Sequence, residues 1–370
     1  KRPGRTLCQL LCIFLGAVFL VTFFRYIPQK LQQIQSLEAG RTDHAVAFET
    51  QPSELPNVYL YLYDEYAGPV CLDHYYGETD PLYPQLEALG FSCSMNSYNT
   101  ESCATVKLVP DLFDLSYDIP RYFVSGDNRR PRLYDIFASM GYEINLINYA
   151  NFLDTDGANT LSRNQYEDSI CVYLYQNSLL PYTPLSGLLE QLPPLSAAYN
   201  YHEIISDILY QMEHAPDYTG RGPTLTIGYV QCPHTLFTFD RDGNEITGNE
   251  LNWKDPQYYV DQLLFTGDHI LRAVRYIQEQ DPGAVIILQS DHGARLAIHM
   301  TDQYDAPFDG ETETIYMQNI LNCVYAGGAS IDIEGQTGIN TLIRILNQLY
   351  GAKIDEVPPV EGFVYVFGED

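Results

Sequence analysis

Two short apolar runs constrain the fold of this chain more than any other feature of its sequence. Val58–Tyr63 and residues 284–288 are rich in β-branched and aromatic side chains, and each has the length of a typical strand. Because neither run alternates with polar residues, both are expected to be buried on both faces, as strands of a helix-covered parallel sheet are.

Helical and strand patterns alternate along the rest of the chain, which predicts an α/β fold. Further strands are predicted near residues 143–148, 224–230, 322–325 and 363–367. Helices are predicted near residues 81–89, 132–140, 202–214, 257–280 and 337–349. This order indicates a mostly parallel sheet covered by helices on both faces.

Both apolar runs lead into side chains that bind divalent metals. Asp64 and Glu65 follow the first run directly, and Asp291-His292-Gly293 follows the second after Gln289 and Ser290. Open α/β sheets keep their ligand sites at the carboxyl ends of strands, and Asp and His are good ligands for Zn²⁺ and Mn²⁺. Period-two alternation points Asp64 and Glu65 to opposite faces, so we expect only one of them in the site. Asp64 is the preferred candidate, and Glu65 is the alternative.

A candidate nucleophile lies between these two strand ends. Thr100 stands in a polar loop that leads into a short helix, where it has the composition of an N-cap residue. The partial positive charge of a helix N-terminus, together with a metal, would favour an alkoxide and the anionic oxygens of a phosphate or sulfate ester. A simple helix cap is the alternative interpretation of Thr100.

Two further side chains could contact a substrate. His234 begins the loop after the predicted strand at residues 224–230, on the same rim as the other strand ends. A structural hydrogen bond is the alternative role for this histidine. Arg295 could clamp an anionic oxygen with two hydrogen bonds, with a surface ion pair as its alternative.

In their order along the chain, these motifs resemble the sulfatase-like branch of the alkaline phosphatase superfamily. Within that branch the chain is most similar to membrane-anchored bacterial hydrolases of the lipoteichoic acid synthase and phosphoethanolamine transferase type. The resemblance implies an alkaline phosphatase-like fold and one bound divalent ion. Mn²⁺ and Zn²⁺ are the preferred identities of this ion, and Mg²⁺ and Ca²⁺ are the alternatives. The implied ligands are Asp64, Thr100, Asp291 and His292. It also implies that Thr100 is the attacking hydroxyl and that His234 contacts the transferred group.

The expected activity is that of a metal-dependent hydrolase or transferase acting on phosphoric, and by extension sulfuric, esters of cell-envelope lipids or glycans. A formylglycine sulfatase is not expected, because Thr105 and Lys107 stand where the motif around Cys103 needs Pro or Ala and Arg. Hydrolysis and transfer both remain open. The alternative function is a catalytically silent, membrane-tethered glycan-binding module with the same fold.

The N-terminal sequence predicts a membrane anchor. Residues 6–24 carry no charge over nineteen positions, which is long enough for a helix to cross a bilayer. We therefore expect a single transmembrane helix in an anchor at residues 1–28, a linker at 29–56 and a sulfatase-like catalytic domain at 57–370. Basic residues before the span favour an extracytoplasmic catalytic domain at the cell membrane.

Charge and cysteine content limit the partners and the chemistry. The chain has 20 basic and 48 acidic residues, so nucleic acid is not an expected partner. The eight cysteines show no metal-finger spacing, and a domain of this size does not need disulfides to hold its core. We expect mostly unpaired thiols.

Overall fold

The computed structural model of the chain describes residues 46, 48, 55–99, 105–117, 130–148, 158–161, 197–218, 222–246, 255–294 and 317–358. Among these residues, seven strands form one sheet and seven helices pack against it. The strands are β1 (Val58–Tyr63), β2 (Ser92–Cys93), β3 (Glu143–Asn148), β4 (Asn159–Thr160), β5 (Thr224–Val230), β6 (Val285–Ser290) and β7 (Asn322–Ala326). The helices are α1 (Pro69–Tyr76), α2 (Leu82–Ala88), α3 (Thr105–Asp114), α4 (Arg132–Ser139), α5 (Ala197–Glu213), α6 (Pro256–Gln280) and α7 (Gly338–Tyr350).

The sheet has the order β2-β7-β6-β1-β5-β3-β4, with β1 at its centre. Strand β1 pairs in parallel with both β5 and β6, and its last residue, Tyr63, is level with Val230 and Ser290. The three strands therefore end at the same height. This register brings Asp64 and Asp291, the residues that follow β1 and β6, to one edge of the sheet.

Both faces of the sheet are buried, and the core has a layer on each. Tyr59, Tyr61 and Tyr63 point into the layer that contains side chains of α1, α2, α5 and α6. Val58 and the two leucines of β1 point into the opposite layer, formed with α3, α4 and α7. Every residue of β1 is at most 1% exposed, which is why its sequence is apolar at every position.

The predicted α/β class, the mostly parallel sheet and its helix-covered faces are confirmed. Four of the described strand pairings are parallel, while β7 pairs antiparallel with both β6 and β2. Helix α5 (Ala197–Glu213) includes residues before the predicted start at residue 202, and α1 was not predicted. The strand predicted at residues 363–367 lies outside the described residues.

The predicted membrane anchor at residues 1–28 also lies outside the described residues, as does most of the linker at 29–56. Of the helices that the structure describes, none is both long enough and apolar enough to cross a bilayer. Near the end of the predicted linker, Phe48 forms an antiparallel bridge with Ala352 and packs against the core layer of α3, α4 and α7.

Candidate metal centre

Three side chains from the ends of β1 and β6 converge at the carboxyl edge of the sheet. Asp64, Asp291 and His292 each present a ligand atom, and these atoms all lie within 4.8 Å of one another. His292 Nε2 is 3.5 Å from Asp64 Oδ1 and 3.6 Å from Asp291 Oδ2. All three residues are buried, at 2% exposure or less.

The hydrogen bonds at the centre leave ligand atoms unpaired. His292 Nδ1 donates to the Gly293 carbonyl at 2.8 Å, so Nε2 is the ring nitrogen that faces the two carboxylates. Among the residues that the structure describes, neither His292 Nε2 nor Asp291 Oδ2 has a hydrogen-bond partner. A buried polar atom without a partner costs about 1–3 kcal/mol.

A divalent cation fits this arrangement. The two carboxylates present oxygens at most 4.8 Å apart, where two unit charges repel each other by at least about 3 kcal/mol at an effective dielectric constant of about 20, and both are buried here. A cation between them would offset this repulsion and give His292 Nε2 and Asp291 Oδ2 a partner. Two carboxylate oxygens and one imidazole nitrogen form a donor set that suits Zn²⁺ or Mn²⁺.

Neighbouring groups fix the other oxygens of both carboxylates. Asp291 Oδ1 accepts from the backbone N–H groups of Glu65 at 3.1 Å and His292 at 2.9 Å. Asp64 Oδ2 accepts from the Tyr229 hydroxyl at 2.6 Å. Burial, followed by the charge of Asp64, holds the pKa of Tyr229 well above its usual value, so the phenol stays a donor. Each carboxylate is therefore oriented by one oxygen and keeps the other for the centre.

A hydroxyl lies beside the centre at the start of α3. Thr105 Oγ1 donates to Asp64 Oδ1 at 3.4 Å, and Thr105 is 9% exposed. The sequence had drawn attention to Thr100 in this loop, and Thr100 lies outside the described residues. Thr105 was not singled out from the sequence, because its partner Asp64 lies 41 positions away and no local pattern indicates such a contact.

Glu65 is not one of the three clustered ligands, and its carboxylate lies beside His234. Its backbone has a φ of 63°, and its carbonyl accepts from the Tyr259 hydroxyl at 2.7 Å. Glu65 Oε2 lies 3.7 Å from His234 Nε2. Of the two acids that end β1, the structure thus brings Asp64 into the centre and places the Glu65 carboxylate beside the neighbouring loop.

Comparison with known proteins identifies the fold. No protein-family model matches the chain, and no curated protein sequence matches it. The C-terminal periplasmic domain of EptC from Escherichia coli, in a complex with zinc, matches with a TM-score of 0.54 and 13% identity, over 83% of this chain and 86% of that one. A 2-O GAG sulfatase matches with a TM-score of 0.50 and 14% identity, over 85% of this chain and 73% of that one.

The periplasmic domain of the phosphoethanolamine transferase EptC from Campylobacter jejuni has a TM-score of 0.49 and 12% identity, over 83% of this chain and 92% of that one. The chain therefore shares its fold with the E. coli EptC domain and with the 2-O GAG sulfatase. The resemblance that the sequence motifs indicated is thereby confirmed at the level of the fold.

On this sulfatase-like fold, His234 stands on the rim that the sequence predicted. Its backbone N–H donates to the Asp64 carbonyl at 3.2 Å, so the loop after β5 is tied to the end of β1. The ring is held through Nδ1, which lies 3.2 Å from Gln231 Nε2 and 2.5 Å from the Thr235 carbonyl. Arg295, the other predicted substrate contact, lies outside the described residues.

Cys232, two residues before His234, is not suited to be a ligand or a nucleophile. Burial raises the pKa of its thiol to about 12, and its Sγ lies 3.2 Å from the hydroxyl of Thr266. Because the thiolate is the reactive and metal-binding form of cysteine, Cys232 stays inert near neutral pH. The reactive groups at this edge of the sheet are therefore oxygen and imidazole groups.

Proposed function

We propose that the chain is a metal-dependent hydrolase or transferase of phosphoric esters, with sulfuric esters as a second substrate class. The observation that carries this proposal is the convergence of Asp64, Asp291 and His292, with two buried ligand atoms that no described group satisfies. The sulfatase-like fold supports it, because the ligands lie where open α/β sheets keep their sites. The E. coli EptC domain was solved with zinc, which makes Zn²⁺ the first ion to test.

Each residue has a separate task in the proposed reaction. Asp64, Asp291 and His292 hold the ion, and Tyr229 and the backbone amides keep the carboxylates in place. When bound, a divalent ion neutralises the nonbridging oxygens of an ester and lowers the pKa of a hydroxyl in contact with it. A threonine oxygen then attacks the phosphorus, and the bond to the leaving alkoxide breaks. Water or an acceptor alcohol then attacks the phosphorus of the phosphothreonine, takes the phosphoryl group and frees the threonine hydroxyl.

Two threonines compete for the role of nucleophile. Thr100 is the residue that the motif resemblance implies. Thr105 is favoured by the 3.4 Å hydrogen bond from its hydroxyl to Asp64 Oδ1. Alanine replacement of the true nucleophile would abolish covalent labelling of the protein by substrate phosphate, whereas the other alanine variant would keep it. Peptide mapping of the phosphorylated threonine decides between them.

The proposed substrates are lipid headgroups or glycans of the cell envelope, met by a membrane-anchored enzyme whose catalytic domain is extracytoplasmic. His234 and Arg295 would contact the transferred group. The net charge of −28 repels long polyanions, so zwitterionic or neutral headgroups suit the protein better than an anionic polymer does.

Metal analysis combined with an ester screen tests the proposal. The purified protein is expected to retain one Zn²⁺ or Mn²⁺ per chain after dialysis and to cleave an aryl phosphate, a phosphodiester or a sulfate ester. His292→Ala should lose both the metal and the turnover, whereas His74→Ala, at an exposed position in α1, should keep both.

A wild-type protein without bound metal, or full turnover in His292→Ala, would contradict the proposal. Bound metal and bound glycan without turnover of any ester would instead favour the catalytically silent glycan-binding module.

A further inference from the structure

Two cysteines face each other across the antiparallel edge of the sheet. In the β2–β7 pair, Cys93 is the register partner of Cys323. The next position is hydrogen-bonded, because the Ser94 N–H donates to the Asn322 carbonyl at 3.0 Å. Hydrogen-bonded and non-hydrogen-bonded pairs alternate in an antiparallel ladder, so the two cysteines form a non-hydrogen-bonded pair.

This position matches the geometry of a disulfide. Opposed residues of a non-hydrogen-bonded pair have Cα atoms about 4.5 Å apart, and disulfides join Cα atoms about 4.4–6.8 Å apart. The four described cysteines, Cys71, Cys93, Cys232 and Cys323, are all thiols. Cys71 lies in α1 and the thiol of Cys232 lies against Thr266, so neither belongs to the β2–β7 ladder.

The two thiols differ in exposure. Cys323 is fully buried, and burial, followed by its hydrogen bond with Cys93, keeps its pKa well above the usual value. Cys93 is only partly buried. An oxidant that arrives from solvent therefore reaches Cys93 first, and the buried Cys323 stands directly opposite to complete the reaction.

We propose that Cys93 and Cys323 form an intramolecular disulfide by exchange with an external disulfide, either a small molecule or a protein. The Cys93 thiolate attacks one sulfur of the oxidant, which breaks the oxidant's S–S bond and releases one thiolate. Cys323 attacks Cys93 Sγ, and its proton passes to the second oxidant thiolate as that thiolate leaves. Two protein thiols are oxidised, one external disulfide is reduced to two thiols, and the protons pass to the released thiolates.

The disulfide would fasten the chain segment next to the metal centre. Strand β2 leads directly into residues 94–99, whose last member, Asn99, donates its side-chain amide to the Asp291 carbonyl. The Asn99 N–H also donates to the Gln318 carbonyl at 3.0 Å, on the segment that leads into β7. A bond between β2 and β7 therefore closes the base of the segment that connects the sheet edge with Asp291.

Oxidation of the full chain with oxidised glutathione, followed by mass spectrometry of a non-reduced digest, tests the proposal. The expected product is a peptide pair that joins Cys93 to Cys323, with the loss of two alkylatable thiols. Cys93→Ser should not form this product, whereas Cys71→Ser should form it as the wild type does. The amides of Ser94 and Asn99 should exchange hydrogen more slowly in the oxidised protein than in the reduced protein.

Two results would overturn the proposal. One is a stable glutathione adduct on Cys93 while Cys323 remains alkylatable after denaturation. The other is a disulfide that joins Cys93 to any cysteine other than Cys323. Both results are independent of metal binding and of catalysis, so the disulfide and the proposed enzymatic activity fail or succeed separately.

Discussion

Replacing Tyr229 by phenylalanine is expected to weaken metal binding while leaving the fold intact. The phenol donates to Asp64 Oδ2 at 2.6 Å, and Tyr229 is fully buried, so water has no ready access to replace the lost donor. A hydrogen bond to a charged group contributes about 1.5–3 kcal/mol. Since about 1.4 kcal/mol is a factor of ten in a dissociation constant, the Kd should rise about 10–100-fold.

Tyr63→Phe is the matched control for this experiment. Tyr63 is also fully buried, at the end of β1, but its hydroxyl has no hydrogen-bond partner within the described part of the chain. Removing that hydroxyl should leave metal affinity unchanged. The assay is a competition titration of Zn²⁺ between the protein and a chromophoric chelator, with thermal unfolding of each metal-free variant measured in parallel.

The reasoning would be refuted if wild type and Tyr229→Phe bound Zn²⁺ with the same Kd. It would also be refuted if Tyr63→Phe lost as much affinity as Tyr229→Phe, because general packing of the aromatic rings would then set the affinity. A shift confined to Tyr229→Phe assigns the effect to the hydrogen bond that orients Asp64.

Two further predictions concern stability. Burial raises the pKa of Asp80 from 3.8 to about 6, so the folded state holds this proton more tightly than the unfolded state does. The resulting stability is fully present below about pH 4 and is lost as the pH rises through 6, by up to about 3 kcal/mol. Urea unfolding from pH 4 to 7 should show a flatter pH dependence in Asp80→Asn than in wild type or in the exposed-site control Asp73→Asn; equal slopes would contradict this. In Gly228→Ala the new Cβ would lie 2.9 Å from Tyr61 Cδ1, so we expect a loss of about 1–3 kcal/mol in the free energy of unfolding. Gly283→Ala, with no atom within 4 Å of the new Cβ, should show no overpacking loss, and equal losses in the two variants would exclude overpacking as the cause.

The central strands were predictable because their burial on both faces produces an apolar pattern within the strand sequence itself. The Val58–Tyr63 run is apolar at every position, and only a strand covered on both faces needs that pattern. Strand direction has no such local signature, since a short apolar run reads the same in either direction. The antiparallel pairing of β7 therefore could not be predicted, and β2, with only the two residues Ser92–Cys93, is too short to show a pattern.

The candidate site was predictable to the extent that its groups stand at strand ends. Asp64 directly follows one apolar run, and Asp291 and His292 follow the other after two residues, so sheet geometry alone brings them to one edge. The role of Tyr229 could not be predicted in this way, because an aromatic residue inside a strand is expected to be a core residue. Its partner Asp64 also lies 165 positions away. Such a contact depends on the register between β1 and β5, which the sequence does not encode locally.

The position of the ligands in the chain also has a consequence for biosynthesis. Asp64 is made before Asp291, which accepts a hydrogen bond from the N–H of Glu65 and lies 226 positions beyond Glu65. At a synthesis rate of about 5–20 residues per second, a nascent chain carries the first carboxylate for about 10–45 s before the remaining two ligand side chains exist. The three-ligand site therefore cannot form on a chain that stops short of residue 292, and metal loading has to await synthesis of Asp291 and His292.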